Sequence, residues 1–153
     1  MIRKLGIMVL LIGVVSVVIG AVFISQAIEK NDWITSAMQQ EKVTLGLSEE
    51  QIAAGDVIDN AKEAQIAGDT IREHRRGIAP TYNDLLAASG GKFDPTNSQD
   101  LDYAQALNME NYLYLAVLSF GVIQEIMGTG AALIIIGVAL GGIGIALYRL
   151  ANT

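Results

Sequence analysis

Arg72, His74, Arg75 and Arg76 form the densest group of chemically capable side chains in the sequence. Guanidinium groups at helical spacing can clamp an anion through forked, charge-assisted hydrogen bonds, and an imidazole beside them can carry a proton near neutral pH. A plainer reading competes with this one. Cations in the last turn of a helix offset its macrodipole, and sixteen Asp and Glu residues supply partners for them. Asp94, Asn97, Asp100 and Asp102 offer oxygen atoms to a hard cation, but the spacing lacks the central glycine and the late bidentate glutamate of a calcium loop. Turn formation and helix capping account for all four, so no metal is expected.

Enzymatic chemistry has little to stand on. There is one histidine and no cysteine, and the sequence holds no GxSxG elbow, phosphate-binding glycine loop or HExxH pair. Paired carboxylates are plentiful, but in an acidic helical segment any two fall near each other, so their spacing carries no weight. Catalytic residues and cofactors are therefore not expected. Three tyrosines, Tyr82, Tyr112 and Tyr114, join the Arg72–Arg76 group as candidate contacts for a ligand or a protein partner.

The elements that must position these residues are set by hydropathy. Residues 126–148 run without a charge, closed by Glu125 and Arg149, and as a helix are long enough to cross a hydrocarbon core of about 30 Å. Residues 5–24 form a second apolar run behind Arg3 and Lys4, interrupted only by Ser16. That length exceeds the apolar region of a secretory signal, which favours an uncleaved anchor over 5–26. All sixteen acidic residues and seven of the ten Lys and Arg lie between the runs, so the middle nets −9 while the flanks net +3. Basic residues beside span ends stay cytoplasmic. The expectation is a cytoplasmic head (1–4), a first span (5–26), an extracytoplasmic acidic helical domain (27–125), a second span (126–148) and a cytoplasmic tail (149–153). An acidic exterior repels phosphate, so nucleic acid is not an expected partner.

Glycines recur every seven residues in both runs: Gly6, Gly13 and Gly20 in the first, Gly130, Gly137 and Gly144 in the second. In lipid, small residues mark the faces where helices approach closely. A seven-residue period favours a left-handed crossing, whereas Gly137 and Gly141 also form a GxxxG pair that usually crosses right-handed. One face is thus expected to hold the partner span and the other to serve a second subunit.

Within the middle, Trp33 suits a headgroup anchor, and residues 34–43 extend the first helix outward. Ser48 and Gln51 have capping-box spacing, and Gly55 predicts a break. A firmer helix is expected over 60–76, ended by Gly77. A short helix follows Tyr82, a turn surrounds Asp94 and Pro95, and Ser98 is the expected cap of the last helix. On that helix Leu101, Ala104, Leu107, Leu115, Leu118 and Val122 make one face. Residues 111–123 are apolar on every side yet too few to span, so they call for burial, headgroup contact or a protein partner.

The stretch from Arg72 through Tyr82 (REHRRGIAPTY), with Phe93–Thr96 (FDPT) and Glu110–Leu115 (ENYLYL), resembles a group of bacterial two-span membrane proteins of unknown function. The resemblance implies a shared architecture and a bacterial cell membrane, and brings no activity with it. The reading that results is an all-α membrane protein, an antiparallel hairpin of spans with an inserted extracytoplasmic helical domain. Its expected role is structural or accessory, in contact with lipid and with other membrane subunits or copies of itself. A small-anion-binding or sensor module acting through a partner is the alternative, and an oligomeric pore a further one, though neither span offers a polar stripe to line water.

Overall fold

In the computed structural model residues 1–151 are described; residues 152 and 153 of the expected tail lie outside them. Five helices follow in order: α1 (Ile2–Gln40), α2 (Glu49–Ala54), α3 (Ala61–Ile78), α4 (Tyr82–Ala88) and α5 (Ser98–Leu150). No strand occurs among the described residues. The two long helices, 39 and 53 residues, are both long and apolar enough to cross a membrane. Contacts divide the chain into two units, Met1–Asp32 with the chain from Val122 onward, and Trp33–Gly121.

In the first unit the apolar side chains point outward. Leu11, Val15 and Val18 on α1, and Ile135, Ile136 and Val138 on α5, are exposed, while the buried positions of α1 are Gly6, Gly13, Gly20 and Ala27. Such a pair suits a hydrocarbon solvent, where contact surface rather than water release holds helices together. The approach is backbone to backbone. A Cβ on Gly13 would lie 2.6 Å from the carbonyl oxygen of Gly137, and one on Gly137 would lie 2.6 Å from that of Gly13. Gly20 and Gly130 stand in the same relation at 2.5 and 2.8 Å, Gly6 and Gly144 at 2.9 and 2.8 Å. Each step of seven forward on α1 is met by a step of seven backward on α5, so the helices are antiparallel. Gly141 belongs to this crossing, its amide nitrogen 2.8 Å from a Cβ on Gly13. A Cβ on Gly141 itself would meet nothing within 4 Å, so its own side of α5 is open. The hydroxyl of Ser16 is satisfied within its own helix, donating to the carbonyl of Ile12 at 3.0 Å.

The second unit is built from short elements held by caps. Ser48 and Gln51 close a reciprocal capping box at the start of α2. Gly55 ends it in the left-handed region at φ 84°, a conformation costly for any residue with a Cβ. Asn60 caps α3, its side-chain oxygen accepting from the Glu63 amide at 3.0 Å. The far end of α3 differs from the expectation. Gly77 remains helical and the helix stops at Ile78, because Pro80 forces Ala79 into extended backbone. α5 is capped one residue earlier than expected, by Asn97, whose side chain accepts from Gln99 at 2.9 Å.

Packing explains why the middle looked irregular as a sequence. α3 buries Ala64, Ala67 and Gly68, whereas Ile66 stays exposed. Its inner face is made of small residues, so a search for large apolar ones misses it. One core joins Ile58, Ala64 and Ala67 to Leu113, Ala116 and Phe120, and a second joins Ala79 and Leu85 to Tyr103. On α5 the expected apolar face is only partly turned inward, with Ala104 and Leu107 half-buried and Leu107 packed on the second core. Leu101, Leu115, Leu118 and Val122 are exposed, while Tyr103, Ala106, Glu110, Leu113, Ala116 and Phe120 are buried.

Replacing Gly13 by alanine sets a methyl against backbone atoms that have no side-chain freedom to yield. Gly13→Ala is expected to loosen the helix pair by about 1–3 kcal/mol. Gly142→Ala, where a Cβ meets nothing within 4 Å, is expected to leave it unchanged. Thermal unfolding of the two variants in the same lipid checks the difference.

Candidate functional site

The Arg72–Arg76 group is divided by the helix that carries it. On α3, Arg75 turns inward while His74 and Arg76 remain exposed. The Arg75 guanidinium donates from Nε to Glu110 at 2.6 Å, from Nη2 to the same carboxylate at 3.5 Å, and from Nη1 to the Tyr103 hydroxyl at 2.6 Å. It also lies over the Tyr103 ring, 5.1 Å from the centroid. All three residues are at least nine-tenths buried. The Glu110 carboxylate holds Arg75 above even the high ordinary value of a guanidinium, against the opposing effect of burial. An anion reaching Arg75 would have to displace Glu110, so this group forms an internal tie between α3 and α5.

Arg72 makes a second, shallower tie. Its Nη2 lies 2.8 Å from Asp69, and its guanidinium sits 5.8 Å from the centroid of the Tyr114 ring. The Tyr114 hydroxyl donates to Asp69 at 2.6 Å. Gly68 makes room for that ring, since a Cβ there would come within 3.1 Å of it. Burial pushes the Tyr114 phenol above its ordinary range, and its bond to Asp69 adds to the shift. Three arginines at helical spacing thus meet three different surroundings and do not converge on one point.

The acidic patch resolves into turn chemistry. Asp100 is fully buried and accepts from the Ser89 hydroxyl at 2.5 Å and the Asp94 amide at 2.8 Å. Asp94 accepts from the hydroxyl and amide of Thr96, which hold its carboxyl below the usual carboxylate range. These bonds fix the 89–97 segment against the start of α5. No group of three His, Asp or Glu suited to a metal ion occurs among the described residues.

That fixed segment walls an open groove of about 520 Å³. Aromatic rings of Tyr82, Phe93 and Tyr103 line it, with the Tyr82 and Tyr103 centroids 6.2 Å apart and tilted by 40°. α5 supplies Gln105, Asn108 and Asn111, with Ala104 and Leu107 between the rings and the amides. Of these residues only Tyr82 stands out in a reading of the sequence alone. The amide row at 105, 108 and 111 is a visible signal in a helix, but Tyr82 and Phe93 opposite it come from two other segments. Tyr112 lies elsewhere, 64% exposed, at an apolar hollow of about 180 Å³ shared with Met38, Val43, Leu45, Met109 and Leu113. Compared with protein families, with curated proteins and with solved structures, the chain matches none of them.

Two measurements follow from the ties. Glu110→Ala leaves a buried guanidinium without its counter-charge and is expected to cost about 3–5 kcal/mol of stability. The double variant Arg75→Met with Glu110→Leu, which removes both charges, is expected to recover most of that in the same denaturant titration. For Tyr114, the folded protein holds its proton more tightly than the unfolded chain does. Its contribution is therefore complete below the ordinary phenol value of about 10 and declines as pH rises through the folded value. Tyr114→Phe is expected to lose about 1 kcal/mol at neutral pH and to show a shallower decline of melting temperature above pH 10 than the parent chain.

Proposed function

We propose that the chain is a two-span bacterial cell-membrane protein with both termini cytoplasmic and residues 27–125 forming an acidic extracytoplasmic domain. In this reading it is a structural or accessory subunit, making helix–helix contacts with a larger membrane assembly or with further copies of itself. The observation that carries the assignment is the outward stripe of α5. Tyr112, Leu115 and Leu118 are each more than half exposed, 64%, 56% and 63%. They precede the charge-free run 126–148 and lie in a stretch too short to span. A contiguous apolar stripe of that kind is a recognised mark of a protein or membrane contact.

Two features support the rest of the reading. Arg3, Lys4 and Arg149 flank the apolar runs on their terminal sides, which favours a cytoplasmic location for both ends. Trp33, 70% exposed near the end of the first apolar run, suits the headgroup region. The three glycine pairs are occupied within the hairpin, so a partner is left the outward faces of the spans, with Gly141 and Gly142 open on the second, and the stripe on α5.

Because the chain has no cysteine, single cysteines report both location and cover. With a membrane-impermeant thiol reagent on intact cells, Glu49→Cys is expected to label and Leu115→Cys to be protected. In the purified protein, reconstituted alone in lipid nanodiscs at one chain per disc, Leu115→Cys is expected to become reactive. Protection of Glu49→Cys in cells would reverse the topology, and equal reactivity of Leu115→Cys in both settings would remove the partner.

A further inference from the structure

We propose that the groove formed by α4, the 89–97 segment and α5 binds a neutral oligosaccharide. Its volume of about 520 Å³ falls within the range of small-molecule sites, and its open form admits a chain longer than the groove itself. No Asp, Glu, Lys or Arg lines it, although the segment between the apolar runs nets −9. A charged ligand would find no counter-charge there, and an anion would also be repelled by the surrounding carboxylates.

The two walls have complementary chemistry. Tyr82 and Phe93 offer ring faces, against which the C–H face of a pyranose can stack, with the buried Tyr103 ring beside Tyr82 beneath them. Gln105, Asn108 and Asn111 offer primary amides, each able to donate and accept, as a rim of hydroxyl groups requires. These amides are exposed, and no hydrogen bond ties them to any other described residue. Asparagine also costs a helix interior stability relative to alanine, so the row at 108 and 111 is not explained by the helix that carries it. Beneath the wall Tyr103 is pinned, its hydroxyl accepting from Arg75, and the backbone beside Phe93 is held by the Asp94 amide donating to Asp100, so the groove is formed before a ligand arrives. The proposal stands on the second unit alone and does not depend on the assembly reading above.

The test uses the full chain in lipid nanodiscs, free of sugar-headed detergent, titrated calorimetrically with chitotetraose, cellotetraose and maltotetraose. At least one of them is expected to saturate at one molecule per chain with a Kd below about 1 mM. The Asn108→Ala/Asn111→Ala double variant and Tyr82→Ala are each expected to weaken that binding by about tenfold or more, while Lys62→Ala leaves it unchanged. Because alanine favours helix, the double variant is expected to keep its melting temperature, which separates lost binding from lost folding. The proposal is overturned if none of the three sugars saturates by about 10 mM. It is equally overturned if the bound sugar is indifferent to both groove variants, or if a proline-rich peptide occupies the groove while no sugar does.

Discussion

Two helices that touch through their main chains are the constraint on which the first unit depends. At Gly13 and Gly137 each carbonyl oxygen occupies the space that the other residue's Cβ would need. A pair of apolar helices in lipid has no water to expel from between them, so the attraction must come from contact itself. Glycine shortens the distance over which that contact acts, and close approach admits weak Cα–H···O interactions along the crossing. The outward-facing isoleucines, valines and leucines then have no packing task within the chain. Their exposure is the expected condition of a surface whose solvent is hydrocarbon.

The second unit solves the opposite problem, cohesion in a polar segment without disulfides. It does so with small-residue packing and a few side-chain ties spanning long intervals of sequence. Arg75 and Glu110, 35 residues apart, join α3 to α5 with geometry that leaves neither charge unpaired. A buried pair of this kind adds little net stability over an apolar replacement, yet removing one member exposes the full desolvation cost of the other. Its effect is therefore chiefly on which arrangement of α3 and α5 is permitted. Asp100 acts similarly on the 89–97 segment, spending a buried carboxylate on one hydroxyl and one backbone amide. The groove wall is as firm as those bonds.

Local signals were readable from the chain and distant pairings were not. The two apolar helices, the box formed by Ser48 and Gln51, and the break at Gly55 depend on neighbours within a turn, so residue order is enough to see them. The end of α3 also depends on near neighbours, but two signals compete there and Pro80 overrides Gly77. The inner face of α3 is alanine and glycine, which carry too little hydropathy to announce burial. On α5 the large aliphatic stripe points outward because the inner positions are taken by Tyr103, Glu110 and Phe120, whose partners come from elsewhere in the chain. Nothing near Arg75 in the sequence distinguishes it from Arg72 or Arg76. The groove is less legible still, since its two walls meet only after three segments have folded.

The glycine repeat carries a consequence for alignment. Because the spacing is uniform on both helices, sliding one along the other by a full repeat, about 10 Å, would bring Gly6 beside Gly137 and Gly13 beside Gly130. Two of the three close approaches would survive, so the repeat specifies proximity while leaving the choice of position nearly degenerate. Something unrepeated must act as the stop. Within this unit the side chains beside the glycines do not repeat, Val17 against Gly137, Ile24 against Gly130 and Leu147 against Gly6, and the Arg3 guanidinium lies over the Tyr148 ring, 5.5 Å from its centroid. The hairpin is in this sense a ruler with identical graduations, and its zero mark is set by the side chains between them.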